Sequence, residues 1–170
     1  CVRWVEAGGA VTVPLRTGVV LPLTTSATGL AFSAFYRSPY LKRMLEAEVR
    51  AIAEAAGTTP AAETAELVLR LDEIRRHGIA RASGSMTPGI NGCSAPVFGH
   101  TGRMVAAVTS LGLIGGFNID WDSPIAQGTR EAAATLSRRL GYGSSDSSAE
   151  QQTPHPPRVD AQAAGDGLAG

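Results

Sequence analysis

The tetrapeptide Gly99-His100-Thr101-Gly102 constrains this chain more than any other feature. It is flanked by Ser94-Ala95-Pro96-Val97-Phe98 and by the run from Arg103 to Ser110, both apolar and short. A glycine-bounded turn between two such runs reads as a β-hairpin, which commits the chain to an antiparallel sheet. What surrounds the hairpin is mostly helical in period. Ala27, Leu30, Ala31, Ala34 and Phe35 recur at helical spacing behind Thr25 or Ser26 as N-cap.

A second helix is expected from about Pro39 to Ala56, with Leu41, Met44, Leu45, Val49, Ile52 and Ala56 on one face and Gly57 after it. Glu46 and Arg50 on its wet face form a favourable i,i+4 pair. Thr59-Pro60 opens a third helix, with Leu67, Leu71 and Ile74 as its stripe and Gly78 as its stop. Arg75-Arg76-His77 suit the negative end of that helix. Ile79 to Ser83 reads as a short strand, and Ser123-Pro124 starts a last helix ending at Gly141. Its apolar stripe is Ile125, Ala132, Ala133, Leu136 and Leu140. Ahead of all this, residues 1–23 read as extended, with strands at Val2–Val5 and Ala10–Leu15 and an edge or bulge at Pro14. The order predicts an α+β domain, an antiparallel sheet with flanking helices.

Residues 143–170 are rich in Ser, Gln, Pro, Ala and Gly and nearly devoid of large apolar side chains. Such a segment cannot bury enough surface to offset its ordering, so a disordered tail is expected. It carries a net charge of −3, which leaves +3 on residues 1–142 and zero overall. That is too little for a phosphate-binding surface, so nucleic acid is not expected to bind this chain directly. No apolar run approaches the ~20 residues of a membrane span. Cys1 and Cys93 make neither a disulfide framework nor a CxxC pair, which points to a reduced, cytoplasmic setting. His77, His100 and His155 show no ligand spacing with one another, so no metal and no cofactor are predicted.

Several segments, in order, resemble one family. Gly18 to Ala34, with Pro22 beside apolar residues and small residues opening a helix, is similar to the effector-domain segment of IclR-type bacterial transcription regulators. Asn91 to Phe98 resembles that family's Cys-Ile-Ala-Ala-Pro-Val strand. Val105 to Gly112 resembles its apolar strand ending in Ser-Gly, with Ser110 in the serine place. The boundary His77-Gly78-Ile79-Ala80 and the last helix also match, so the resemblance covers about residues 1–142. It implies a GAF/profilin-like effector-binding domain that has lost its first helix and strands. The full regulator would bind promoter DNA through a winged helix-turn-helix absent from this chain, as a dimer or tetramer.

The resemblance also implies a pocket between the helix-opening loop and the two late strands. Ala27 and Thr28 would offer backbone N–H groups to a small organic acid, because the first amides of a helix lack internal partners. The plain alternative is an N-cap and nothing more. Cys93 and Ser110 would supply side-chain contacts, although a free Cys in an apolar strand is usually inert, and Ser110 could merely satisfy a sheet end. Ser83 stands where some members carry an acid, and Asn91 where an apolar residue is common. Met86 is close to where many carry Glu. Val13 and Leu21 would wall the pocket, or be plain core.

Two other classes compete. An enzyme using Cys93 as nucleophile needs a base in reach and a lowered thiol pKa. His100 lies at the far end of the same strand, too distant at about 3.3 Å per residue for a direct pair, whereas His77 is not excluded. A ligand-free GAF-like dimerisation module would instead have its pocket filled by side chains.

Overall fold

A computed structural model describes residues 3, 5, 19–85 and 87–143 of the chain. The expectations for Val13, for the strand at Ala10–Leu15, for Met86 and for residues 144–170 fall outside the described residues, as do Val2 and Trp4 of the first expected strand, and residues 19–25 form no strand. Within them run α1 (Ala27–Phe35), α2 (Pro39–Ala56), α3 (Pro60–His77), β1 (Ala80–Ser83), β2 (Ile90–Phe98), β3 (Met104–Leu113) and α4 (Pro124–Arg139). The domain is α+β, and β1, β2 and β3 form an antiparallel sheet in that order. Among the described residues no helix is long and apolar enough to cross a membrane.

The helices start and stop where local chemistry demands. Ser26 caps α1 by accepting the Gly29 amide at 2.9 Å, and Thr59 caps α3 by accepting that of Ala62 at 3.2 Å. Gly57 and Gly78 end α2 and α3 at φ 69° and 68°, a left-handed conformation that residues with a Cβ rarely adopt. Arg75, Arg76 and His77 occupy the last turn of α3, as the dipole favours.

The hairpin is longer than its apolar runs suggest, because β2 begins at Ile90 and β3 continues to Leu113. Its turn closes through Gly99 N–H to the Arg103 carbonyl at 2.9 Å, with a register shift at Val97/Phe98. Strand β2 is buried along nearly its whole length, so both faces of the sheet are covered. On one side Ala80, Phe98, Met104 and Ala107 pack with Leu30, Ala31 and Ala34 of α1, Val49 of α2 and Leu67, Leu71 and Ile74 of α3. On the other, Cys93, Ala95 and Val97 pack with Ala126 and Ala133 of α4 and with Ile79.

Two helix faces differ from the pattern in the sequence. In α2 the fully buried residues are Val49 and Ala53, while Met44 and Ala56 are exposed. Glu46 meets Lys42 one turn earlier, at 3.9 Å, rather than Arg50. In α4 the buried residues are Ala126, Thr129, Ala133 and Ser137, and Ala132, Leu136 and Leu140 face outward. The physical reason is hydrogen bonding. Ser137 Oγ accepts the Phe98 amide at 2.9 Å and donates to the Ala133 carbonyl at 2.8 Å, which turns the small, hydroxyl-bearing side of α4 onto the sheet.

Candidate functional site

The loop ahead of α1 is held by side chains from three helices. Ser26 Oγ donates to the Pro22 carbonyl at 2.6 Å, and Ser33 Oγ to that of Leu23 at 3.1 Å. Arg70 of α3 donates to the Thr24 carbonyl at 3.3 Å. Glu48 of α2 accepts the Leu23 and Thr24 amides at 2.8 and 2.9 Å, and also the Thr24 hydroxyl. Gly29 makes the close approach possible, since a Cβ there would stand 1.9 Å from the Pro22 carbonyl oxygen.

This loop delivers the N-terminus of α1 against the sheet. Ser26 takes the third amide of the helix, and the first turn carries no acidic side chain. The amides of Ala27 and Thr28 donate to no protein acceptor among the described residues. Beside them, Thr28 Oγ1 bonds Thr109 Oγ1 at 2.8 Å, and Thr109 Oγ1 bonds Ser94 Oγ at 2.8 Å. A chain of three hydroxyls thus runs from the buried Ser94 out to half-buried Thr28 at the helix end. Next to it, the space over Gly92 is filled, because a Cβ there would meet Leu111 Cδ2 at 2.7 Å and Ala27 Cβ at 3.5 Å.

Cys93 and Ser110 lie on the other side of the sheet. They are register partners and face α4, whereas Ser94 and Thr109 face α1. Thr129 Oγ1 donates to the Ile125 carbonyl at 2.7 Å, so its oxygen accepts from Ser110 at 2.8 Å and from Cys93 at 3.4 Å. Cys93 is therefore a donating thiol. Burial pushes its pKa up from the usual thiol value, against smaller lowering effects from Thr129, the Ser110 backbone and Arg130. This is the reverse of what a nucleophilic cysteine needs. His77 is stacked on Trp121, centroids 4.2 Å apart and planes at 3°, with the Arg81 guanidinium 4.0 Å from the same ring's centroid.

Asn91 shares the α4 face. Its Nδ2 donates to the Phe117 carbonyl at 2.8 Å, while its buried Oδ1 has no partner in the structure. Ser83, across from Asn91, is exposed and lines a groove of about 690 Å³ between α3 and β1 with Arg70, Arg76, Arg81 and Trp121. None of the other candidate residues lines that groove. Leu21 is half-buried in the segment before the loop. The structure thus brings Ala27 and Thr28 together, and separately Asn91, Cys93 and Ser110, with the sheet between the two groups.

A profile described as "Bacterial transcriptional regulator IclR C-terminal" matches residues 1–138. The chain belongs to the IclR family. Among solved structures it is similar to HmgR of Pseudomonas aeruginosa, with 36% identity and a TM-score of 0.66 over 81% of this chain and 53% of that one. The IclR of Thermotoga maritima matches at 26% identity and TM-score 0.59, over 79% of this chain and 54% of the other. An IclR-family regulator from Rhodococcus sp. matches at 26% and 0.61, over 79% and 49%. The chain spans about half the length of these proteins. Comparison with curated proteins gives no match.

The side-chain candidates divide because successive strand residues point to opposite faces: Cys93 and Ser110 face α4, while their chain neighbours Ser94 and Thr109 face α1. The hydroxyls between the sheet and α1 are those of Ser94, Thr109 and Thr28, of which only Thr28 is a candidate from the sequence, and that for its backbone amide. Glu48, Arg70 and Thr129 carried no local signal at all, being brought in from elements distant in sequence.

Proposed function

We propose that this chain is the effector-sensing domain of an IclR-type regulator, and that its ligand is a small organic acid held at the N-terminus of α1. The observation that carries this reading is the pair of Ala27 and Thr28 amides, free of protein acceptors among the described residues and adjoining the Thr28–Thr109–Ser94 hydroxyls. A carboxylate there meets two N–H donors, the positive end of a helix with no acidic side chain in its first turn, and one or two hydroxyls. The whole regulator binds promoter DNA through a winged helix-turn-helix and assembles as a dimer or tetramer. Effector coupling of this kind is typically worth ~1–3 kcal/mol in DNA affinity. A cytoplasmic location and a non-enzymatic role follow from that function, and the buried, donating thiol of Cys93 supports the latter.

A calorimetric screen of small carboxylic acids against the intact protein tests the site. Thr28→Pro removes one amide donor while Pro is tolerated in a first turn, so it should abolish most of the affinity. Thr109→Val should weaken binding by ~1.5–3 kcal/mol if its hydroxyl meets the charged carboxylate. Ser110→Ala, on the opposite face, should bind as wild type. An acid that binds Thr28→Pro and Thr109→Val as tightly as wild type places the pocket elsewhere. The Leu111 side chain filling the space beside Gly92 favours the second reading, a ligand-free dimerisation module. The finding that would establish it is a screen in which no acid binds wild type while the protein remains a dimer.

A further inference from the structure

The backbone polar groups of Pro22, Leu23 and Thr24 are accounted for almost entirely by side chains, and one of those side chains is an acid from another helix. Glu48 lies in the middle of α2, which buries only Val49 and Ala53 fully along its 18 residues. Its carboxylate accepts two successive amides and a hydroxyl from the loop that opens α1. These donors are distinct from the Ala27 and Thr28 amides, so Glu48 and a ligand at the helix end do not compete for the same groups. The loop carbonyls are engaged by Ser26, Ser33 and Arg70, and the tight passage of the backbone over Gly29 leaves little room for another path. Removing the carboxylate therefore leaves two buried N–H groups without a partner, and the loop must rearrange to find water.

We propose that Glu48 is a positioning residue for the effector site: from α2 it fixes the Leu23–Thr24 amides, so that the α1 N-terminus is presented to the ligand and the seating of α2 is coupled to occupancy of the pocket. This rests on the reading that the pocket lies at Ala27 and Thr28. The coupling is reciprocal by thermodynamic necessity, so a ligand that favours the ordered loop also favours a seated α2. α2 buries only Val49 and Ala53 fully, with Leu45 packed partly against the core, so three hydrogen bonds to one carboxylate add materially to its attachment.

The test is amide hydrogen exchange on the intact protein, followed by mass spectrometry, for wild type, Glu48→Ala and Glu48→Gln. Exchange at Leu23 and Thr24 should rise by about tenfold or more in Glu48→Ala, the equivalent of one charge-assisted hydrogen bond. Glu48→Gln, whose amide oxygen still accepts, should recover part of the protection. Sodium formate, supplied as a free carboxylate, should restore protection at Leu23 and Thr24 in Glu48→Ala by more than any change it causes in wild type. Peptides from α2 should gain and lose protection in step with the loop. Unchanged exchange at Leu23 and Thr24 in Glu48→Ala overturns the proposal. So does equal loss in both variants with no formate effect, which would be general destabilisation.

A calorimetric panel of acetate, oxalate, succinate, benzoate and phenylacetate separates this proposal from the pocket itself. An acid that binds wild type should bind Glu48→Ala at least fivefold more weakly, with partial return in Glu48→Gln. If it binds Glu48→Ala as wild type, the coupling is overturned and the pocket stands. If no acid binds wild type while formate still rescues the exchange, the pocket reading fails and the coupling with it, leaving Glu48 as a fastening of the loop alone.

Discussion

Two glycines in helices show how little a residue type says without its surroundings. Gly29 in α1 has the Pro22 carbonyl oxygen where its Cβ would be, while Gly128 in α4 has nothing within 4 Å. Gly29→Ala is therefore expected to lower stability by ~1–3 kcal/mol through overpacking, despite alanine's better helix propensity. Gly128→Ala should raise it by up to about 1 kcal/mol. Urea unfolding of the two variants checks both, and a stabilised Gly29→Ala would mean that the loop does not pass where described. Cys93 gives a pH prediction. Its thiol pKa is raised in the folded state, so the unfolded thiol ionises first as pH rises. The stability it confers is whole below the ordinary thiol value and declines as pH climbs toward the folded one. Unfolding midpoints measured from about pH 7 to about pH 10 should fall more steeply in wild type than in Cys93→Ala. Equal slopes would refute the assignment. At this scale the sequence was legible where one residue acts by itself, as at Ser26, Thr59 and Gly78. It was not where the deciding group belongs to a distant segment, as for the Leu23 and Thr24 amides held by Glu48.

At the level of elements, α4 carries the clearest departure. Hydrophobic spacing selected Leu136 and Leu140 as its inner face, yet both are exposed by more than two-fifths, and Thr129 and Ser137 sit inside. Period alone ranks side chains by apolarity and is blind to a hydroxyl that satisfies a strand amide. Ser137→Ala leaves the Phe98 amide without its partner next to the bulge and should cost ~1–3 kcal/mol. Leu136→Ala should change stability by less than about 0.5 kcal/mol, as at an exposed site. Thermal melts that reverse this order would restore the apolar face. The hairpin and α3 were read well because their signals agree at every level: caps, stripe and turn residues point the same way. The site is legible only in part for a related reason: the cap at Ser26 shows in its own sequence, whereas which strand side chains share a face with α1 depends on register, which composition does not carry.

For the whole molecule, the last described contact is Tyr142 against Phe98, ring centroids 5.1 Å apart. Deleting everything after Gly143 keeps that contact and removes a segment with almost no large apolar side chain. Its unfolding midpoint should then move by no more than about 1–2 °C, the scale of a few tenths of a kcal/mol. A larger drop would mean that the segment docks. With no net charge, the chain should also fail to retain duplex DNA at near-physiological salt, since non-specific binding rests on Lys and Arg neutralising phosphates. Retention with a steep salt slope would contradict this. The two-sided burial of β2 has a consequence for anyone scanning the domain. Substitutions along residues 90–98, scored once for abundance and once for ligand response, should beat with a period of two. Odd positions such as Cys93, Ala95 and Val97 would darken the abundance track alone, and Gly92 and Ser94 would darken both. The rhythm itself, rather than any single variant, would reveal which side of the sheet listens.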